Sequence, residues 1–167
     1  MVETTNTNTQ STEITKEQVE NTRHYLDLIK RFDRVISIKK DQIQDIYSSI
    51  DGMKAITYDG DRVQTSQRVD AGFVDDLARM DKIIRDIRNT IAQKEYARAH
   101  ICKMIDDIQD DDMRAVLYYK YMKQMPSKDI AKEMGYSDNY IRHMVIDGVK
   151  EFYRAHSEEI DAYFEAA

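Results

Sequence analysis

The stretch from Ser127 to Ile146, SKDIAKEMGYSDNYIRHMVI, constrains the fold of this chain more than any other feature. A helix-turn-helix needs a small residue where the helices cross, a residue that tolerates a left-handed backbone, and apolar residues facing the crossing. Ala131 meets the first requirement, Gly135 meets the second, and Ile141 fills the angle from the second helix. The other positions predicted to face inward are Ile130, Met134, Tyr136 and Met144. The pattern therefore predicts two helices, one ending at Gly135 and one beginning near Ser137.

Two long heptad patterns precede this motif, one from Lys16 to about Met53 and one from Gly72 to about Ile108. Apolar residues that recur every seven positions are typical of long helices packed along one another. Because a polar linker at about 54–71 separates them, they are predicted to fold as an antiparallel, coiled-coil-like hairpin. The predicted neighbours are Ile50 with Leu77, Ile43 with Ile84, and Ile36 with Ile91. Lys39 and Lys94 interrupt the stripes, and we interpret their stems as lying along the stripe with their charged ends in water.

The rest of the chain divides around these two features, and the predicted fold class is all-α. Residues 1–15 are polar with almost nothing to bury, so they are predicted to be disordered, and Thr15 with Gln18 is a capping box that opens the first helix. The hairpin is assigned to 16–109, the helix-turn-helix domain to 110–156, and an acidic tail to 157–167. Within the domain, three aspartates at 110–112 cap a helix over Met113–Met125 that Pro126 ends.

Composition limits the classes of protein that remain. A net charge of −6 does not indicate nucleic-acid binding over the whole surface, although a local basic face is sufficient for it. A single cysteine, Cys102, excludes an internal disulfide and a thiol-based metal site. There is no signal peptide and no apolar run near the roughly 18 residues of a membrane span. The expected location is therefore a reducing cytoplasm, without a membrane partner.

The chain contains no recognisable catalytic constellation. Its histidines, which are His24, His100, His143 and His156, are scattered without ligand spacing, and no Gly-rich phosphate loop is present. The aspartates at 106–107 and 110–112 do not match a calcium loop and are interpreted as a helix break and cap. We therefore predict no enzymatic activity, no cofactor and no metal.

Local charge favours the helix-turn-helix as a DNA-binding surface. Between Met113 and Arg154 there are eight Lys or Arg and five Asp or Glu. In such a motif the start of the second helix enters the major groove, where Arg142 would read guanine and Asn139 would read adenine or hold a phosphate. The outward positions there are Asp138, Asn139, Arg142 and His143, and Lys128, Lys132 and Lys150 would contact the DNA backbone. The alternative is that these side chains form only a solvated helix face.

Three sequence elements together resemble a known group of regulators. They are YDGDRVQTS at Tyr58–Ser66, LYYKYM at Leu117–Met122, and DIAKEMGYSDNYIRHM at Asp129–Met144. They resemble the phage- and prophage-borne regulators of Gram-positive bacteria related to ArpU and RinA, whose C-terminal part is similar to region 4 of sigma-70-type factors. The resemblance spans about Lys16 to Tyr153.

This resemblance implies a transcription regulator, often of late phage genes, that binds double-stranded promoter DNA in the nucleoid of a bacterial host. It implies DNA contacts from Ser137, Asn139, Tyr140, Arg142 and His143. No segment resembles the aromatic-rich region that melts the −10 element, which favours an activator working beside a host sigma factor and RNA polymerase.

Two alternatives stay open on the sequence. Small terminase subunits of phage DNA packaging also join a helix-turn-helix to a helical oligomerisation region, although they usually place the DNA-binding motif first. A coiled-coil adaptor that does not bind DNA is the other alternative. In each case a two-helix hairpin has little core of its own, so homodimerisation or packing on the C-terminal helices is expected.

Overall fold

The computed structural model describes residues 14–56 and 71–166 of the chain, and all regular structure in these residues is helical. This confirms the all-α class. The helices are α1 (Lys16–Leu26), α2 (Leu28–Ile56), α3 (Ala71–Asp106), α4 (Asp111–Leu117), a π-helical turn (Tyr118–Met122), α5 (Ser127–Met134) and α6 (Asp138–Glu165). The Tyr58–Ser66 element, most of the predicted linker and the predicted disordered segment up to residue 13 lie outside the described residues.

The described residues form two compact units. The first contains α1 together with the residues from Met104 onwards, and the second extends from Asp27 to Lys103. The predicted continuous helix from Lys16 to about Met53 is therefore wrong at Asp27, where a turn separates α1 from α2. The predicted capping box at the start of α1 is present, because the Thr15 hydroxyl accepts from the Gln18 N–H at 3.2 Å and the Thr15 N–H donates to the Gln18 side chain at 2.9 Å.

The first unit is organised around α6, which contacts α1, α4 and α5. Its large, fully buried apolar side chains are Leu26, Ile105, Ile108, Val116, Leu117, Ile130, Ile141, Val149, Phe152 and Ile160. Helix α1 is held by Tyr25, whose hydroxyl donates to Glu159 Oε1 at 2.9 Å and whose ring meets Tyr163 edge-on at 5.2 Å. Helix α4 begins at a cap, since the Asp110 carboxylate accepts from the Met113 N–H at 2.8 Å.

The predicted acidic tail is part of this unit. Helix α6 bends at His156 (φ −134°, ψ 26°) and then continues to Glu165. At the bend, His156 Nε2 lies 2.9 Å from the carbonyl oxygen of Met104, so this nitrogen is the donor. The Tyr153 hydroxyl donates to Asp161 Oδ2 at 2.9 Å across the bend, and burial together with this carboxylate raises the pKa of Tyr153. The residues assigned to the acidic tail at 157–167 therefore form the end of α6, where Ile160 gives them a buried anchor.

The second unit pairs α2 with α3. Ile46, Ile50 and Met80 are buried together, and the side chains packed against them are Ile43, Phe73 and Ile83. Lys39 Nζ lies 2.9 Å from Asp86 Oδ2, and Lys94 Nζ lies 2.6 Å from Asp33 Oδ1. Residues nearer the end of α2 contact residues nearer the start of α3. The contacts are therefore in the order expected for two antiparallel helices.

The two lysines that interrupt the heptad stripes do not simply extend into water, as the sequence suggests. Their side chains are only 24% (Lys39) and 19% (Lys94) exposed, and each holds a carboxylate of the opposite helix. The hydrogen bond and positive charge of Lys39 lower the pKa of Asp86. These pairs therefore add polar contacts that favour one register of α2 along α3.

The seam of α3 that faces α2 differs from the predicted one. The heptad pattern predicts Leu77 and Ile91 in this seam, yet they are 46% and 43% exposed. Met80, which also belongs to the predicted stripe, does pack there, together with Phe73 and Ile83. The two alternatives lie side by side on α3, because Ile83 and Ile84 are adjacent in sequence and each belongs to an apolar row. Heptad spacing alone does not distinguish between two such rows.

Gly148 allows α6 to approach α4 closely, which gives a testable prediction. A Cβ at this position would lie 3.2 Å from Leu117 Cγ and 3.3 Å from its Cδ2. Gly148→Val should therefore lower the free energy of unfolding by about 1–3 kcal/mol, the usual cost of overpacking a core. Urea denaturation measures this loss. Ala155→Val at an exposed position of the same helix is the control, and equal losses in both variants would contradict the close approach.

Candidate nucleic-acid interface

Helices α5 and α6 meet through a tight left-handed turn. Gly135 has φ 73° and ψ 25°, and the Tyr136 N–H donates to the carbonyl oxygen of Ala131 at 2.9 Å, which is the closure of a Schellman motif. Helix α6 then begins at a cap, since the Ser137 hydroxyl accepts from the Tyr140 N–H at 3.2 Å. Four of the predicted inward positions are buried, namely Ile130, Ala131, Ile141 and Met144. The local sequence thus places two short, rigidly joined helix segments at this corner.

The predicted place of Tyr136 in the core of the motif is wrong. Its side chain is 39% exposed, its hydroxyl donates to Asp112 Oδ2 at 2.8 Å, and its ring lies 4.8 Å from that of Tyr140. Because the preceding glycine is left-handed, the chain leaves the crossing before Tyr136 and directs its ring towards the first turn of α4. The partner carboxylate raises the pKa of Tyr136. Met134, another predicted core residue, is only half-buried.

Four of the positions predicted to face DNA lie on the exposed side of the first two turns of α6, whereas Asp138, also predicted to face outward, is half-buried. The four are Asn139, Tyr140, Arg142 and His143, and each is exposed, as is the capping Ser137. The opposite side of the same turns carries Ile141 and Met144 into the core. This segment therefore presents amide, phenol, guanidinium and imidazole groups on a helix whose orientation is fixed by its buried face.

Arg142 is engaged in an ion pair within α6. One guanidinium nitrogen lies 2.7 Å from Asp138 Oδ2, four residues earlier, and the arginine side chain is 68% exposed. An exposed pair at this spacing contributes about 0.3–0.5 kcal/mol. A bidentate contact to guanine discriminates by about 1–3 kcal/mol. The pair with Asp138 is therefore weak enough for Arg142 to exchange it for a contact with a base.

The predicted backbone-contacting lysines are not equivalent. Lys128 and Lys132 are exposed on α5 and make no ion pair within the part of the chain that the structure describes, although Asp129 and Glu133 are exposed beside them. Lys150 is half-buried and lies 3.6 Å from Asp147. Lys128 and Lys132 are therefore the better candidates for phosphate contacts.

Two other basic side chains of the domain serve mainly local structure. Arg114 donates to the carbonyl oxygen of Ile108 at 3.0 Å and pairs with Asp111, and Arg154 lies 2.9 Å from Glu151. The positive charge counted over Met113–Arg154 is therefore partly neutralised at these two positions. The positive charge on α5 and at the start of α6 is therefore more important for binding an anionic ligand than the charge of Arg114 and Arg154.

One basic feature beside the motif is missed by the sequence pattern. The predicted helix over Met113–Met125 ends early, because Tyr118–Met122 is a π-helical turn and Gln124 adopts a left-handed backbone (φ 54°). This turn brings Lys123 Nζ to 4.9 Å from the Tyr119 ring centroid and 5.9 Å from that of Tyr118. The only signal for it is a tyrosine pair four and five residues before a lysine, which does not by itself indicate a π turn.

Within the described residues no set of three or more His, Cys, Asp or Glu side chains is arranged to hold a metal ion. No helix among these residues has both the length and the apolar character needed to cross a membrane.

The left-handed turn at Gly135 predicts the effect of substitutions there. No atom lies within 4 Å of a Cβ built at this position, so the penalty comes from the backbone angle alone. Gly135→Ala should therefore lower the unfolding free energy by about 1–2 kcal/mol, and Gly135→Asn by less, because asparagine tolerates this conformation better. Thermal unfolding of the two variants measures the difference. Equal losses for Ala and Asn would contradict a penalty set by φ.

The contact between Tyr136 and Asp112 predicts a dependence of stability on alkaline pH. The folded-state pKa of Tyr136 lies above its ordinary value of 10.0, so the contact stabilises the fold below pH 10.0 and is lost as pH rises through the folded-state pKa. The stability difference between wild type and Tyr136→Phe should therefore shrink above pH 10.0. Denaturation at neutral and alkaline pH tests this. Tyr140→Phe is the matched control, and a difference for Tyr136→Phe that stays constant with pH would exclude the linkage.

Comparison with known proteins places the chain in a family without assigning an activity. No curated protein and no solved structure matches the chain. The sequence model of the family described as "Protein of unknown function (DUF1492)" matches residues 51–151, which include α3, α4, α5 and the first half of α6. Since this match covers more than half of the 167 residues, the chain belongs to the DUF1492 family.

Proposed function

We propose that this protein is a sequence-specific, DNA-binding regulator of transcription that inserts the start of α6 into the major groove. The observation that carries the proposal is the division of this helix into two faces. Asn139, Arg142 and His143 are exposed on one face, while Ile141 and Met144 anchor the other. Side chains that read bases must be held by a rigid element, and this arrangement supplies one.

The charge distribution supports binding at this surface rather than elsewhere. Met113–Arg154 carries +3, so the rest of the chain carries −9 to give the total of −6. Acidic surfaces are repelled by the DNA backbone, and a basic face therefore determines the orientation of encounter. Lys128 and Lys132 would hold phosphates while α6 reads bases, which is the usual division between positioning and specificity.

The resemblance of Asp129–Met144 to sigma region 4, and of the longer chain to ArpU- and RinA-like regulators, narrows the proposed target. It favours a promoter element of phage or prophage genes, in particular late genes, with host RNA polymerase as a neighbour. The protein would then act without enzymatic chemistry or cofactor, at the nucleoid of a bacterial cytoplasm.

Substitution of Arg142 tests the proposal. Arg142→Ala should weaken binding to a duplex selected by the protein from random DNA by about 1–3 kcal/mol, because a bidentate base contact is lost. Binding to a shuffled duplex should change much less. Fluorescence anisotropy at fixed salt measures both affinities. Lys132→Ala should instead weaken both duplexes similarly and reduce the slope of log affinity against log salt by about 1.

Arg154→Ala is the matched control, because Arg154 is an exposed arginine of the same helix outside the motif. An equal effect of Arg142→Ala and Arg154→Ala would remove Arg142 from the interface. Failure of the wild-type chain to retain any duplex at low salt would contradict DNA binding as a whole and favour the adaptor alternative.

A further inference from the structure

Helix α3 carries a second seam that is not buried against α2. Its residues recur at alternating spacings of three and four, and they are Val74, Leu77, Asp81, Ile84, Arg88, Ile91 and Glu95. Leu77, Ile91 and Val74 are large apolar side chains left exposed, and Ile84 is half-buried. Such a seam is the pattern of a helix that packs on two partners, of which α2 is one.

The seam is complementary to itself. When two copies of α3 run antiparallel about a twofold axis at Ile84, each Leu77 lies opposite Ile91 of the other copy. Asp81 then lies within one residue of the position opposite Arg88 of the other copy, and this happens twice because the interface is symmetric. Moving the axis by half a heptad in either direction would bring Arg88 or Asp81 beside the same residue of the other copy, so that like charges meet. A parallel arrangement would place Asp81 opposite Asp81.

We propose that this outer seam of α3 binds a second copy of the chain in this antiparallel, twofold arrangement. The apolar residues would supply most of the binding free energy, since each is at least partly exposed in the single chain. The charges would select the register and direction, which is the usual role of polar groups in helix pairing. Asp81 also lies 3.6 Å from Arg85 of its own helix, and both side chains are exposed enough to reorient.

Dimerisation through α3 goes beyond the proposed function and does not depend on it, because it involves α3 alone and is tested without DNA. Sedimentation equilibrium of the full chain should give twice the chain mass of 19.6 kDa. The double variant Leu77→Glu with Ile91→Glu should raise the dissociation constant of the dimer by on the order of a hundredfold, since apolar area is lost and charge is buried. Ile38→Glu, at an exposed apolar position of α2, is the control and should leave the dimer unchanged.

Charge exchange provides a test that does not require an apolar substitution. Asp81→Arg places two guanidinium groups opposite each other, and Arg88→Asp places two carboxylates opposite each other. Each variant alone should therefore dimerise roughly tenfold more weakly. Mixed together, the two variants should form a heterodimer, because each variant then offers a charge that is opposite to that of its partner. Lys82→Asp, a charge reversal outside the seam, should have no such effect.

Circular dichroism checks that each variant remains helical. A wild-type chain that stays monomeric at high micromolar concentration would overturn the proposal. A dimer that survives the Leu77 and Ile91 substitutions, or an assembly larger than two chains, would overturn it as well. Failure of the two charge variants to associate preferentially with each other would exclude the antiparallel twofold register.

Discussion

The burial of one face of α6 is the constraint on which the candidate interface depends. Ile141, Val149, Phe152 and Ile160 are fully buried along a helix that α1, α4 and α5 all contact. A short amphipathic helix such as α5 would be marginal on its own, so its orientation comes from this packing. The exposed side of α6 is consequently held at a defined angle. The left-handed turn at Gly135 determines where α5 ends and therefore where α6 begins. Loss of the core would therefore remove the interface along with the stability.

Signals within a few residues of one another predict the motif well. Ala131, Gly135 and Ile141 occupy the positions that their size and backbone freedom suggest, and Ser137 caps α6. These features depend on local geometry, which a short sequence determines. Tyr136 is misassigned because its apolar ring fits the pattern while its hydroxyl has a partner in Asp112, 24 positions earlier, and no local signal reports such a contact.

The pairing of helices with one another is harder to predict from the sequence. The residues of α1 continue the heptad pattern, yet Tyr25 contacts Glu159 and Tyr163 of α6. The spacing of an apolar stripe shows that it will be buried, and it does not identify the partner. The same reason explains α3, where Met80 and Ile83 face α2 and the adjacent row with Leu77 and Ile91 does not. The same reason applies to residues 157–167, because their few apolar side chains are sufficient for a docked helix but do not identify the helix on which it packs.

Contact between DNA and the corner formed by α5 and the start of α6 is the central claim, and hydrogen–deuterium exchange with and without a selected duplex tests it most directly. We expect slower amide exchange across residues 127–146 when DNA is bound, with no change across residues 28–50 of α2. Protection of α2 or α3 with unchanged exchange in α5 and α6, under conditions where the duplex is bound, would contradict it.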